Sequence, residues 1–468
     1  MVSAMQSGAG KTVLTCALLR ALQRRGLDVA GFKCGPDYLD PLFHRRVLGT
    51  ACDNLDLFLQ GEAGVRDVLG SARADLGVIE GAMGFFDGVG GTDEASAWQL
   101  AAQEGIPVVL AVRPSGSSLT LAAQVRGMQT FRAPDPIAGI VLTDCKPSLA
   151  AHLRPLLERE CGLPVLGCLP TLPEASFASR HLGLVRAEEV PDFERRIDVV
   201  ADALEAACDL DALVGLATSV RPAAGREGDD GPARPADGRT AAVRTGPTSS
   251  APTTSDLPTA SLAAPRCRIA VARDEAFCFY YEAGLARLET AGAELVAFSP
   301  LRDATLPVAD ALYLGGGYPE LHAARLSANG TMRQALRAAV ATGMPTLAEC
   351  GGFMYLQQYI TGAQGVAHPM VGALPGRSAP AGRLVRFGYA HLVAERDSLL
   401  LRAGERLPVH EFHHWDSTDN GRDLVATKPT GASWCCCHAT QTLHAGFPHL
   451  HLAGELPLAE RFVHAAEG

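Results

Sequence analysis

No run of about 18 apolar residues occurs in the chain, although hydrophobic residues make up 47% of its 468 positions. A membrane-spanning helix is therefore excluded. A basic excess is missing too: 41 Lys and Arg stand against 51 Asp and Glu, a net charge of −10. A broad nucleic-acid surface needs the opposite balance, so nucleic acid is not an expected partner, whereas a local basic pocket for an anionic substrate is allowed. The opening MVSAMQSGAGKT has neither a basic leader nor an apolar signal segment, from which a cytoplasmic location is expected. Internal repeats are absent. The 13 cysteines are scattered and are expected to be reduced rather than a disulfide framework. Cys435-Cys436-Cys437 has no companion ligand pair at zinc spacing, and three adjacent cysteines do not readily converge on one ion.

At this length two domains are expected. Residues 1–215 alternate short apolar runs, Val29–Phe32, Leu76–Ile79, Pro107–Val112 and Ile137–Leu142, with helical periods such as Leu14, Ala17, Leu18, Ala21 and Leu22. That alternation predicts a mostly parallel sheet covered by helices. Residues 216–266 are rich in Ala, Pro, Gly, Ser, Thr and Arg with few large apolar side chains, the composition of a flexible linker. A second α/β pattern fills 267–468, with strands expected at Arg268–Ala272, Glu294–Phe298, Asp310–Leu314 and Pro345–Ala348 and shorter strand-like pieces after Val371.

Chemistry first appears at Ser7-Gly8-Ala9-Gly10-Lys11-Thr12. Glycines let the backbone N–H groups curl toward phosphate oxygens at a helix N-terminus, Lys11 would contact the β- and γ-phosphates, and the Thr12 hydroxyl would reach Mg²⁺. Met5 stands where the usual motif has Gly, and only Met1–Met5 precede the loop, which is short for a central strand. Phe32-Lys33-Cys34-Gly35-Pro36-Asp37-Tyr38-Leu39-Asp40 follows a strand end, where α/β folds place ligands. Lys33 could balance phosphate charge, and Asp37 and Asp40 could hold Mg²⁺ or orient a substrate; solvated loop acids are the plain alternative. Glu80 ends a hydrophobic strand, the position of a magnesium-side acid.

In the second half, Ala348-Glu349-Cys350-Gly351-Gly352 turns from strand to helix and would expose Cys350 as a nucleophile. A thiolate needs a base, for which His449 and the group His410, His413 and His414 compete; spacing does not choose. The Gly315-Gly316-Gly317 loop can turn N–H groups toward an oxyanion.

Together SGAGKT, FKCGPDYLDP, CDNLDLF (Cys52–Phe58), IEGAMGFFDG (Ile79–Gly88), SRHLGL (Ser179–Leu184), VARDEAFCFYY (Val271–Tyr281), YLGGGYPELHA (Tyr313–Ala323), AECGGFMYL (Ala348–Leu356), HEFHH and HLH resemble the cobyrinic acid a,c-diamide synthase family of cobalamin biosynthesis, hydrogenobyrinic acid a,c-diamide synthases included. The resemblance implies a P-loop NTPase-like parallel-sheet domain linked to a class I glutamine amidotransferase-like α/β domain. It implies ATP and Mg²⁺, glutamine and a tetrapyrrole polycarboxylate as small-molecule partners, and leaves a homodimer open. Cys350 would hydrolyse glutamine with His449 as its base, and the ammonia would meet an acyl phosphate in the N-terminal domain. Ser7, Gly8, Gly10, Lys11, Thr12 and Lys33 would bind the nucleotide, Thr12, Asp37 and Glu80 the metal, and Asp40 would serve catalysis. His451 occupies the place of the usual triad carboxylate, Val409 that of a glycine, and Ala95-Ser96-Ala97 that of Ser-Thr-Ala. The nickel-sirohydrochlorin a,c-diamide synthases are the nearest alternative, and a P-loop binding ATPase a more distant one.

Overall fold

A computed structural model describes residues 1–173, 189–218 and 265–468, with the backbone of 179–180 and 183–184. The N-terminal half is built on β1 (Val2–Ala4), β2 (Val29–Cys34), β3 (Asp53–Leu55), β4 (Leu76–Glu80), β5 (Val108–Val112), β6 (Ile137–Thr143) and β7 (Val165–Leu169). These form one sheet in the order β3-β2-β4-β1-β5-β6-β7, parallel throughout. The short apolar runs suit it because both faces are covered. The brief β1 is nonetheless central. Val2–Ala4 pairs with Val109–Ala111 on one side, while Val2 opposes Glu80 on the other, and Val2, Ser3 and Ala4 are all buried.

Three helices matter for the site. Helix α1 (Lys11–Arg24) starts at the glycine loop, and its face Leu14, Leu18 and Leu22 joins the core over the sheet. Helix α2 (Leu39–Leu48) follows β2. Helix α3 (Leu57–Ser71) follows β3, capped by Asp56, whose side chain accepts from Phe58 and Leu59 N–H, the usual way of satisfying first-turn donors.

The C-terminal half carries β8 (Cys267–Ala272), β9 (Ala293–Phe298), β10 (Ala311–Leu314), β11 (Thr346–Glu349), β12 (Arg386–Ala394), β13 (Arg406–His413), β14 (Leu424–Thr427), β15 (Ser433–Cys436), β16 (His438–Ala439), β17 (Leu443–Gly446) and β18 (His449–Leu450). One sheet runs β9-β8-β10-β11-β17-β16, and a five-stranded sheet β15-β14-β12-β13-β18 packs beside it. Long strands in the tail depart from the short pieces expected there. β12 and β13 pair over eight positions, from Arg386↔His413 to Val393↔Arg406. A helix spans Leu210–Thr218, past the boundary expected at 215. Most of the linker call at 216–266, and the side chains of Ser179–Leu184, lie outside the described residues. Among the described residues no helix is long and apolar enough to cross a membrane.

Candidate active site

At the end of β1 the chain turns through Gly8 and Gly10, with φ of 77° and 85°, a left-handed conformation that favours glycine. These two glycines are present where the conformation requires them, which accounts for tolerance of Met5. Lys11 folds back to donate to the carbonyls of Met83 and Gln6. Ser7, Gly8, Gly10, Lys11 and Thr12 all face one cavity of about 1010 Å³.

Beneath this loop lies a buried cluster of charges. The Thr12 hydroxyl donates to Glu80 Oε1 at 2.7 Å and lies 3.4 Å from Asp40 Oδ1. Lys33 Nζ stands 2.6 Å from Asp40 and 3.1 Å from Glu80, and His44 Nε2 is 2.7 Å from the other Glu80 oxygen. Burial alone would hold a proton on Glu80, but Lys33 and His44 outweigh it and take the carboxyl below the usual carboxylate range. Asp40 moves the opposite way: burial, then the Glu80 charge, push it well above that range. Lys33 keeps its proton against burial because both carboxylates face it. The structure thus groups Thr12, Lys33, Asp40 and Glu80. Asp37 it does not bring into this oxygen set: its Oδ1 accepts from Leu39 N–H at 2.7 Å and Asp40 N–H at 3.3 Å, holding the start of α2. The three oxygens of Thr12, Asp40 and Glu80 are hard donors of the kind magnesium takes. His44 was not foreseen; its sequence signal is the four-residue step from Asp40, one turn along α2.

Cys350 sits between β11 and the short helix α4 (Gly351–Leu356) with φ 48° and ψ −99°, a strained turn of the kind found at functional sites. Its N–H donates to the Gly446 carbonyl at 2.7 Å. A Cβ on Gly352 would come within 2.0 Å of the Leu314 carbonyl, so only glycine allows the helix to start this close to β10. Burial first, then the charges of Glu320 and Glu411, push the Cys350 thiol well above its usual range; a base is needed to make it a nucleophile.

The triglycine loop connects Cys350 to a histidine. Gly315 O accepts from Gly352 N–H at 3.0 Å, and a Cβ on Gly316 would fall 2.6 Å from His449 Cε1. His449 therefore lies against the same loop as the elbow. Burial, with His410 and His413 nearby, takes its ring down to about 3, leaving it neutral. His413 is differently occupied: its ring nitrogens meet Glu411 Oε1 at 2.8 Å and the Trp415 carbonyl at 2.6 Å. His410 opposes His449 across β13 and β18. His451 stacks on Tyr281 at 4.6 Å, with no hydrogen-bond partner for either ring nitrogen among the described residues. A carboxyl does reach this region from an unforeseen direction. Glu349, just before Cys350, accepts from Leu450 N–H at 2.8 Å and from the Tyr313 hydroxyl at 3.0 Å, fixing the backbone next to His449.

Tyr38 joins the two ends. Its ring packs 5.1 Å from Phe279, 4.5 Å from Tyr281 and 5.0 Å from His449, while Tyr281 donates to the Pro36 carbonyl at 3.2 Å. The large cavity is accordingly lined by both halves, with Lys11, Thr12, Lys33, Asp40 and Glu80 on one side and Phe387, Tyr389, His410, Phe412 and His449 on the other.

Two family models match. Residues 1–184 match a CobQ/CobB/MinD/ParA nucleotide binding domain, and residues 268–456 a CobB/CobQ-like glutamine amidotransferase domain. A cobyrinate a,c-diamide synthase of Clostridium acetobutylicum is 35% identical over 472 residues, covering 99% of each chain. The chain belongs to the cobyrinate a,c-diamide synthase family. Other relatives of that family are the Salmonella typhimurium synthase, 36% identical over 98% of this chain and 96% of its own length, and the Synechococcus synthase, 36% identical over 100% and 98%. A solved glutamine amidotransferase overlaps 43% of this chain and 99% of its own at 19% identity and a TM-score of 0.31, too remote to carry an argument. In this family member the α/β class and its two-part plan are as the sequence indicated.

Proposed function

We propose that the chain is a glutamine-hydrolysing carbon–nitrogen ligase that amidates the a and c acetate carboxylates of cobyrinic acid or its cobalt-free relative, as the names of its relatives suggest. The observation that carries this reading is the single cavity faced by both the phosphate loop and His449. An isolated binding ATPase would have no use for an amidotransferase domain whose His449 lines its nucleotide site.

Cys350 Sγ attacks the side-chain carbonyl carbon of glutamine as His449 takes the thiol proton. Gly315 N–H is held by the Tyr280 hydroxyl at 2.9 Å, so Gly316 and Gly317 are the glycines of the loop that would supply N–H groups to the developing oxyanion. Collapse expels ammonia, which takes a proton from His449, and water hydrolyses the thioester to glutamate. Ammonia then passes Tyr38 into the shared cavity. At the other end Lys11 and the loop N–H groups hold the triphosphate, and Lys33 steadies charge as the γ-phosphoryl passes to a substrate carboxylate. Thr12, Asp40 and Glu80 would hold Mg²⁺, which when bound neutralises phosphate charge. Ammonia attacks the acyl phosphate carbon, releasing phosphate and leaving the amide.

The test is Cys350→Ala, assayed by product mass with ATP, Mg²⁺ and each tetrapyrrole. It is expected to lose glutamine-dependent amidation and keep ammonia-dependent amidation. Lys11→Ala is expected to lose both. Failure of ammonia to rescue Cys350→Ala would break the division into two sites.

A further inference from the structure

The proposed function leaves open where the macrocycle lies. We propose that the amidotransferase half supplies its binding wall, a tetrapyrrole face stacking on the cross-strand pair Phe387 and Phe412 while Lys428 receives one of its carboxylates. This inference rests on the amidation reading.

In the β12–β13 hairpin Phe387 opposes Phe412, and Tyr389 opposes His410. Side chains alternate across a strand, so these four share one face, the one lining the cavity. The inner end of that face is already covered: the Tyr389 hydroxyl donates to Asp56 Oδ2 at 2.7 Å, and Phe58 packs on Tyr389 at 4.6 Å. The outer end is not covered. Phe387 is 48% exposed and edge-to-face with Phe412 at 5.4 Å. An aromatic surface left open inside a cavity, rather than on a convex surface, marks a place for an apolar ligand.

The cavity also has room for more than a nucleotide, since about 1010 Å³ is at the upper end for small-molecule sites. A triphosphate anchored at Gly8–Thr12 would take the part of the cavity lined by the N-terminal half. Lys428 Nζ donates to the Phe387 carbonyl at 2.8 Å, which sets an ammonium beside the aromatic pair. Pro429, next to it, lies across from the nucleotide side: a Cβ on Gly90 would meet its Cβ at 3.7 Å. Flat apolar wall, adjacent cation and facing phosphate loop together fit a planar macrocycle with acidic arms, one of which reaches the phosphoryl donor.

The experiment compares wild type, Phe387→Ala, Phe387→Tyr and Phe412→Ala as full-length enzymes. KM is measured for cobyrinic acid and for ATP, together with glutamine hydrolysis and direct binding of cobyrinic acid followed by its absorption. Each alanine variant is expected to raise the KM and dissociation constant for cobyrinic acid about ten-fold, the scale of a lost aromatic contact. KM for ATP and glutamine hydrolysis should not move, and Phe387→Tyr should behave as wild type. A rise in KM for ATP instead would assign the wall to the nucleotide base and overturn the proposal. Unchanged binding in Phe387→Ala, whose exposed side chain can be removed without unfolding, would overturn it as well. If wild type amidates no tetrapyrrole, the functional reading itself fails; if wild type is active and the alanine variants match it, only the wall is refuted.

Discussion

Replacing Lys33 by methionine tests the buried charge cluster directly. In the wild type one ammonium serves two carboxylates, 2.6 Å from Asp40 and 3.1 Å from Glu80, with all three side chains buried. Removing one partner of a buried ionic group leaves uncompensated charge and costs about 3–5 kcal/mol. At about 2–4 °C per kcal/mol for domains of this size, the melting temperature should fall by roughly 10 °C. The loss should depend on pH. The Glu80 pKa is depressed in the folded wild type, so its stabilising contribution is present above the ordinary carboxylate range and fades only as pH falls. Without Lys33 the folded carboxyls hold protons that the unfolded chain releases, so the variant loses stability as pH rises. The gap between the two proteins should therefore be small near pH 5 and wide at pH 8. Millimolar magnesium should narrow it, because a divalent cation among Thr12, Asp40 and Glu80 replaces the missing charge and stabilises by binding. Thermal denaturation followed by circular dichroism, with and without magnesium chloride, reads all three effects. A gap that neither pH nor magnesium alters would refute the account of the cluster.

Gly316→Ala is expected to displace His449, whose Cε1 lies 2.6 Å from the new Cβ position. Glutamine-dependent turnover should drop about a hundred-fold, as for other misplacements of reacting groups near 1 Å, with ammonia-dependent turnover intact; equal loss in both assays would point to general damage. For Glu349, burial raises the carboxyl to about 7 from 4.5, so the folded state holds a proton that the unfolded chain gives up between those values. Its ionisation should cost about 3 kcal/mol by pH 8, and Glu349→Gln should be more stable than wild type at pH 8 yet similar at pH 4.5 in urea titrations. Parallel pH profiles would contradict this. Tyr38→Leu loses ring contacts to Phe279, Tyr281 and His449, worth about 1 kcal/mol each beyond their area. Glutamate released per amide formed should rise as ammonia escapes, and an unchanged ratio would reduce Tyr38 to a packing role.

The strands of the first half could be read because a parallel sheet buries both faces, which leaves plain apolar runs such as Val108–Val112. The placement of Lys11, Thr12, Glu80 and Cys350 was legible because each sits at a strand end or helix start. That of His44 and Glu349 was not. Their roles come from partners 36 and 101 residues away, and apart from the one-turn step from Asp40 to His44 nothing local distinguishes them from a core histidine or a strand-end acid. The same holds for Tyr38, whose three ring partners belong to the other half. Asp37 reads in sequence as part of a ligand loop; its carboxylate holds the first turn of α2 and lines the shared cavity. The open face of the β12–β13 hairpin was hidden because alternation does not tell which side meets the core.

That hairpin has a consequence for how such enzymes can be recombined. Glu411 and His413 lie on its inner side, where the Glu411 charge is felt by Cys350, while Phe387, Tyr389 and Phe412 look across at the ATP-using half. A glutaminase module borrowed from an unrelated ligase could bring a competent nucleophile and still leave the recipient without half of its substrate pocket. With that wall, ammonia supply and substrate choice would be inherited as one piece, and a one-residue shift in the pairing of the two strands, which turns the shifted strand's side chains to the other side, would damage both at once.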